Sequence, residues 1–302
     1  MSSSSSSPAP ERALVLGGGG STGNAWLIGL LAGLAEAGVD VTAADLTIGT
    51  SAGSTAAAQV VGTPLPELYA AALTAPDRHR PTGAPPGPRR NPGRPVPDQL
   101  QRLHATIAAS SDITDFRRRM GAAALELDAS ADGFWAPRWR STVAARLPGA
   151  RWPERRVLVT AVDARSGQPV TFDRDSGVDV VDAVAASCSS GLPYRIGDEL
   201  YIDGGYRANA ENADLAAGAA RVLVLSPFGG RSLHPFAWGT HLQTQVDALR
   251  AGGSEVLTVF PTPDAEHLFG ERGMELSLRP DAARAGHDQG HDLAASVAGF
   301  WQ

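Results

Sequence analysis

The sequence predicts an α/β domain built on a mostly parallel central sheet covered by helices on both faces. Short apolar runs alternate with helix-like runs along the chain, which implies parallel strands joined by crossover helices. Two glycine-framed turns, residues 17–23 and 49–53, each join a strand-like run to a helix-like one. An apolar content of 43% over 302 residues is enough for one sizeable core, a size α/β enzymes reach as a single domain.

Residues 1–11 read as a disordered Ser-rich tail and residues 12–302 as one domain. Ala13-Leu14-Val15-Leu16 is a buried strand. A helix follows over 24–37, with Leu27, Leu30, Leu31 and Leu34 at helical spacing and Gly38 as its C-terminal cap. Leu46-Thr47-Ile48 forms the next strand and 52–61 the next helix. Segment 76–97 is crowded with Pro, Gly and Arg and cannot form a regular element. Its place after a helix makes it a candidate lid, and its arginines could attract phosphate head groups; a solvated insertion is the plainer reading. Helical patterns fill 98–147. Strands are predicted at 156–162 and 221–225, with a short run at 199–202, a further strand at 255–260 and a closing helix over 280–300.

The formal charge of −6 and pI near 5.6 argue against a nucleic-acid partner, because such proteins carry a basic excess or stripe. All 26 basic residues are arginine, which reads as coding bias. With one cysteine, Cys188, no disulfide can form within the chain, and Cys188 reads as a small buried residue. The Ser-rich start lacks the basic and apolar regions of a signal peptide, and no apolar stretch approaches the roughly 18 residues needed to span a bilayer. The expectation is a cytoplasmic protein.

The turn Gly49-Thr50-Ser51-Ala52-Gly53 fits G-x-S-x-G, in which a serine stands on a sharp strand-to-helix turn and flanking side chains would collide. At the helix start that follows, unpaired backbone N–H groups and the positive dipole end favour negative charge beside that serine. The first turn, Gly17 to Gly23, would supply more backbone donors. It also fits the dinucleotide pattern G-x-G-x-x-G through Gly18, Gly20 and Gly23. That reading wants an acidic residue at the end of the second strand, where Ile48 leads instead into Gly49-Thr50-Ser51. A third element, Asp203-Gly204-Gly205, follows the run 199–202.

In this order and spacing the three elements resemble the patatin-like phospholipase family. There, a G-G-G-x-x-G loop, here Gly18-Gly19-Gly20-Ser21-Thr22-Gly23, holds the oxyanion; the elbow serine attacks the ester; and the D-G-G aspartate is the base, without histidine. The stretch from Ala186 to Pro193 also resembles the family's segment ahead of that aspartate. One departure is Thr22, where most members carry a basic residue.

The resemblance implies a three-layer α/β/α fold with Ser51 and Asp203 catalytic, Gly18, Gly19, Gly20 and Ala52 forming the oxyanion hole, and Gly23, Gly49, Gly53, Gly204 and Gly205 as structural turn glycines. It implies no metal and no cofactor, a lipid ester substrate, most plausibly a phospholipid or lysophospholipid, and transient contact with a membrane surface. It says nothing of protein partners. A general esterase or thioesterase with the same dyad, and a non-catalytic lipid-binding protein of this fold, are the alternatives. An ordinary aspartate, with a pKa of ~3.9, is a weak base for serine, so a partly desolvated site that raises it is expected.

Among seven histidines, His287 and His291 lie late in the chain, where an α/β-hydrolase triad would place one. His287, Asp288, His291 and Asp292 also mimic a metal-ligand cluster at i, i+4 spacing, though a solvated helix face is the plainer reading. Trp135, Trp139 and Trp152, near further arginines, suit either a lipid interface or core packing.

Overall fold

The computed structural model describes residues 10–74, 96–131, 133–147, 149 and 151–302. The Ser-rich start and nearly all of the candidate lid lie outside the described residues. Pro10 and Glu11 are already tied in: their carbonyls accept from Ala220 N and Arg221 N at 3.2 and 2.9 Å.

Eight strands form one sheet. β1 (Arg12–Leu16), β2 (Leu46–Gly49), β3 (Arg156–Asp163), β7 (Arg221–Leu225) and β8 (Glu255–Val259) run parallel in the order β3-β2-β1-β7-β8. β4 (Pro169–Phe172) and β6 (Glu199–Asp203) pair antiparallel with β3, and β5 (Tyr194–Ile196) pairs antiparallel with β6. The mostly parallel sheet of the sequence reading is therefore observed, with an antiparallel margin it did not specify.

Register on β3 decides where the site forms. β2 pairs with 156–159, ending at Gly49 opposite Val159, and β6 pairs with 161–163, with Asp203 opposite Ala161. β4 spans 159–162 and overlaps both, so it occupies the other edge of β3. β2 and β6 thus dock end to end along one edge, and the carboxyl ends of the two strands meet.

Strand residues alternate between two cores, as a doubly covered sheet requires. Leu14, Leu16, Val157, Val159, Leu223 and Leu225 face one helical layer. That layer comprises α1 (Gly20–Glu36), α2 (Ala52–Gly62), α3 (Leu65–Leu73), α6 (Trp135–Ala144), α7 (Val180–Ser187) and α9 (Arg279–Trp301). Ala13, Val15, Ile48, Leu158, Val222 and Val224 face the opposite side, packed on α8 (Leu242–Ala251). α4 (Val96–Ala109) and α5 (Ile113–Ala129) pair beside the site, and α5 touches β3 and β6.

α1 is buried along nearly its whole length, because the sheet covers one side and α9 the other. The two helices approach closely through Gly29, Gly33, Gly286 and Gly290. A Cβ at Gly29 would strike the Ala283 carbonyl, and one at Gly286 the Trp26 carbonyl. Gly29→Ala must push the helices apart, costing about 3 kcal/mol of stability. Chemical denaturation would show it; an unchanged midpoint would mean the crossing is not tight.

Candidate active site

The first glycine loop follows β1 because its amides are drawn to neighbouring chain. Gly17 N donates to Leu225 O at 2.9 Å and Gly18 N to Ala210 O at 2.8 Å. α1 then starts at Gly20, four residues before the periodicity suggested, since Gly-Ser-Thr-Gly reads as a turn. The first helical turn is anchored by Thr22 N donating to Gly273 O at 2.9 Å, and Gly20 takes a positive φ of 65° that disfavours any side chain. The N–H groups of Gly19, Gly20 and Ala52 have no protein acceptor among the described residues. Gly18 is different and corrects the sequence reading: its N–H is spent on Ala210, so it is no oxyanion donor. A Cβ at 18 would stand 3.6 Å from Ser51 Cβ and from Ala210 O, ordinary contact, so close packing does not by itself demand glycine here.

Ser51 sits between β2 and α2 with φ 52° and ψ −113°, a conformation that costs a non-glycine residue about 1–3 kcal/mol. Its surroundings enforce that geometry. Ser51 N donates to Ser187 Oγ at 2.9 Å, while Ser54 Oγ and Cys188 Sγ donate to Ser51 O at 2.7 and 3.1 Å. The helix packs so close to β1 that a Cβ on Gly53 would strike the Leu16 carbonyl, and one on Gly49 would lie 2.6 Å from Ser54 Cα.

Ser51 Oγ donates to Asp203 Oδ2 at 3.0 Å, and Gly205 N donates to Asp203 Oδ1 at 2.8 Å. Asp203 is buried, 7% exposed. Burial pushes its pKa up to about 6, opposed by the Gly205 N–H and the Ser51 hydroxyl. Gly204 packs directly on Thr160, where a Cβ would clash.

Several residues that hold this pair in register were not legible in the sequence. Asn212, at a left-handed φ of 56°, donates from Nδ2 to Thr50 Oγ1 and to Gly204 O, both at 3.0 Å. Thr50 and Thr160 share a hydroxyl hydrogen bond of 2.9 Å, and all three side chains are fully buried. The network links the residue before Ser51 to the residue after Asp203. Asn209 in turn fixes Asn212, accepting from its N–H at 2.6 Å. Nearby, Glu211 is buried against Ser226, with one carboxyl oxygen unpartnered, and burial raises its pKa to about 7. Only the asparagines after D-G-G could have signalled any of this, and in a loop they look ordinary.

Among the described residues the pair opens into a cleft of about 1900 Å³, larger than the roughly 300–1,000 Å³ of small-molecule pockets. Leu103, Ile107, Met120, Ala124 and Leu127 of α4 and α5 form an apolar wall, and Arg146 and Arg279 stand on its polar side. Cys188 lines the cleft beside Ser51 and is half-buried, closer to the site than a core residue would be; burial raises its thiol pKa to about 11. His287 and His291 do not serve Ser51: both bind Glu36, at the opposite end of α1. Trp139 and Trp152 are half-buried against the core, their indole N–H groups donating to Ala185 O and Val178 O at 3.0 and 2.6 Å.

Fold, strained serine turn and unpaired helix-terminal amides together define an α/β protein of the acyl-hydrolase class. A family model described as patatin-like phospholipase matches residues 14–216, more than half of the chain. The chain belongs to the patatin-like phospholipase family and is a lipid acyl hydrolase. Among solved structures, VipD from Legionella pneumophila is similar at 13% identity and a TM-score of 0.42, covering 96% of this chain and 68% of VipD. The type III effector protein ExoU is similar at 17% identity and a TM-score of 0.37, covering 95% of this chain and 54%, about half, of ExoU. Neither likeness is close enough to carry an argument about function. No curated protein matches the chain.

Proposed function

We propose that Ser51 and Asp203 hydrolyse carboxylic esters of phospholipids or lysophospholipids through an acyl-serine. The observation that carries this reading is the 3.0 Å hydrogen bond from Ser51 Oγ to a buried carboxylate, made on a turn strained to present that hydroxyl. Ser51 Oγ attacks the ester carbonyl as its proton passes to Asp203 Oδ2. The oxyanion settles among the N–H groups of Gly19, Gly20 and Ala52, at the positive end of two helices. Collapse expels the alcohol, which takes the proton from Asp203. Water then gives a proton to Asp203 and attacks the acyl-serine; the second collapse releases the fatty acid and returns the proton to Ser51. With a pKa near 6, Asp203 is ionised at neutral pH yet more basic than a free aspartate.

Arg279 and Arg146 support the phospholipid assignment. Arg279, at the start of α9, donates to Ser21 O at 2.7 Å and Asn24 Oδ1 at 3.2 Å, and Asn24 Nδ2 reaches Ala52 O at 3.5 Å. A guanidinium thus reaches the oxyanion loop from another element, where Thr22 replaces the family's usual basic residue. Burial and the charge of Arg146 lower the Arg279 pKa to about 10, and no carboxylate pairs with it among the described residues. Two cations in one cleft suit a phosphodiester. The exposed Leu233, Phe236, Met274 and Leu276 along the same cleft suit contact with a lipid surface.

A fluorophosphonate probe, with mass spectrometry to locate the adduct, tests the chemistry. Labelling at Ser51 that is lost in Ser51→Ala and slowed in Asp203→Asn is the expected result. An unlabelled, folded wild-type protein would leave a lipid-binding protein instead. For the head group, Arg279→Gln should lower the ratio of kcat/KM on phospholipid to that on nitrophenyl butyrate about tenfold, the loss of one charge-assisted hydrogen bond. An unchanged ratio would remove Arg279 from substrate recognition.

A further inference from the structure

We infer that Glu36, His287 and His291 form a binding site for a divalent transition metal, with zinc the best-fitting ion, clamping α1 to α9. Glu36 is the last residue of α1, and the two histidines stand one turn apart on α9. Both imidazoles aim at the same atom: His287 Nε2 lies 3.0 Å and His291 Nε2 3.3 Å from Glu36 Oε2. Ligands at about 2.0–2.1 Å from a tetrahedral zinc stand about 3.3 Å apart, so two edges of the coordination shell already have nearly the required length. No two of the three donor atoms are more than 4.8 Å apart, so the remaining edge is at most about 1.5 Å longer than a tetrahedral shell requires.

The donor set selects the ion. Two imidazoles and one carboxylate suit zinc, copper or nickel, whereas calcium and magnesium require oxygen shells. The His287 ring is already oriented, stacked on Tyr69 at 4.3 Å and 5°. Its Nδ1 lies 3.7 Å from Oδ1 of the exposed Asp288, beyond hydrogen-bond reach, so this carboxylate would have to turn toward the ring to accept its other N–H. With metal, each Nε2 lone pair would bind the ion and the ring proton would sit on Nδ1. His291 and Glu36 are partly exposed, so water can complete the shell. The i, i+4 spacing read from the sequence thus finds its carboxylate in Glu36, 251 residues away, and not in Asp292.

The ion would play no part in ester hydrolysis, because Glu36 lies sixteen residues of helix, about 24 Å, from the oxyanion loop. Its effect is to join the far end of α1 to α9, two helices whose starts are already tied by Arg279 to Ser21 and Asn24.

The experiment is calorimetric titration of the full chain, stripped with EDTA and dialysed, with zinc chloride. One ion per chain is expected at micromolar affinity or tighter, with a higher melting temperature and, with cobalt, the visible bands of a tetrahedral site. His291→Ala and Glu36→Gln, both at exposed positions and checked for folding by circular dichroism, should each weaken binding at least about tenfold. Esterase activity of the intact protein should be the same with and without EDTA. Absence of saturable one-to-one binding, or equal affinity in both variants, would overturn the site.

Discussion

Ser51→Ala lowers kcat on a nitrophenyl ester by on the order of 10⁶-fold, and Asp203→Asn by about 10⁴-fold. The first figure is large because Ser51 itself carries the acyl group in the proposed reaction. The second is smaller because the free N–H groups of Gly19, Gly20 and Ala52 would still bind the oxyanion when the base is gone. The two residues act as a unit, joined by one hydrogen bond, so the double variant should be no slower than Ser51→Ala alone. Steady-state rates of the four proteins decide this. Losses that multiplied would mean Asp203 contributes through something other than Ser51, and the dyad would fall.

The pH dependence should run in opposite directions for activity and stability. Asp203 must be ionised to accept the serine proton, so kcat/KM should rise about tenfold per pH unit up to about 6 and level off above it. A profile flat down to pH 4 would contradict the raised pKa. Stability behaves inversely. Asp203 is raised from 3.8 to about 6 and Glu211 from 4.5 to about 7, both by burial. An acid whose folded pKa is raised holds its proton more tightly folded than unfolded. Its contribution is complete below the unfolded value and is lost as pH climbs through the folded one. Each loss is on the order of 3 kcal/mol. Glu211→Gln keeps the acceptor for Ser226 and removes the buried charge, so it should raise the melting temperature by roughly 5 °C more at pH 8 than at pH 5. Scanning calorimetry at the two pH values is the check; equal shifts would show that Glu211 takes up no proton on folding between them, and hence that its pKa is not raised.

The reasons these groups can be named at all lie partly in the sequence and partly beyond it. β1, β2, β3, β7 and β8 announce themselves because parallel strands buried on both faces need unbroken apolar runs. α3 begins behind Pro64 and is half-exposed, β4 has four residues, and α8 is rich in Gln and Thr, so none carries a clear period. Ser51 and its flanking glycines stand out because a sharp turn restricts residue type locally; Asp203 alone looks like an ordinary turn aspartate and is picked out only by its place in the family's order, and the fold brings the two side chains together. Gly18 shows the limit of that logic: spacing marks a glycine but does not say which carbonyl has claimed its amide. Asn212 and Arg279 were out of reach for another reason. Their partners Thr50 and Ser21 are 162 and 258 residues away, and only the sheet order brings them together.

The end-to-end seating of β2 and β6 on a single edge of β3 has a consequence during synthesis. Ser51 leaves the ribosome 152 residues ahead of Asp203, an interval of roughly 8–30 s at ordinary elongation rates. Through that interval the nascent chain carries Ser51 without the carboxylate it bonds to in the fold, and β6 is seated only after β3 has been made. An enzyme that degrades lipid would therefore be harmless to nearby membranes until its sheet is nearly complete, with order of translation serving as its safety catch.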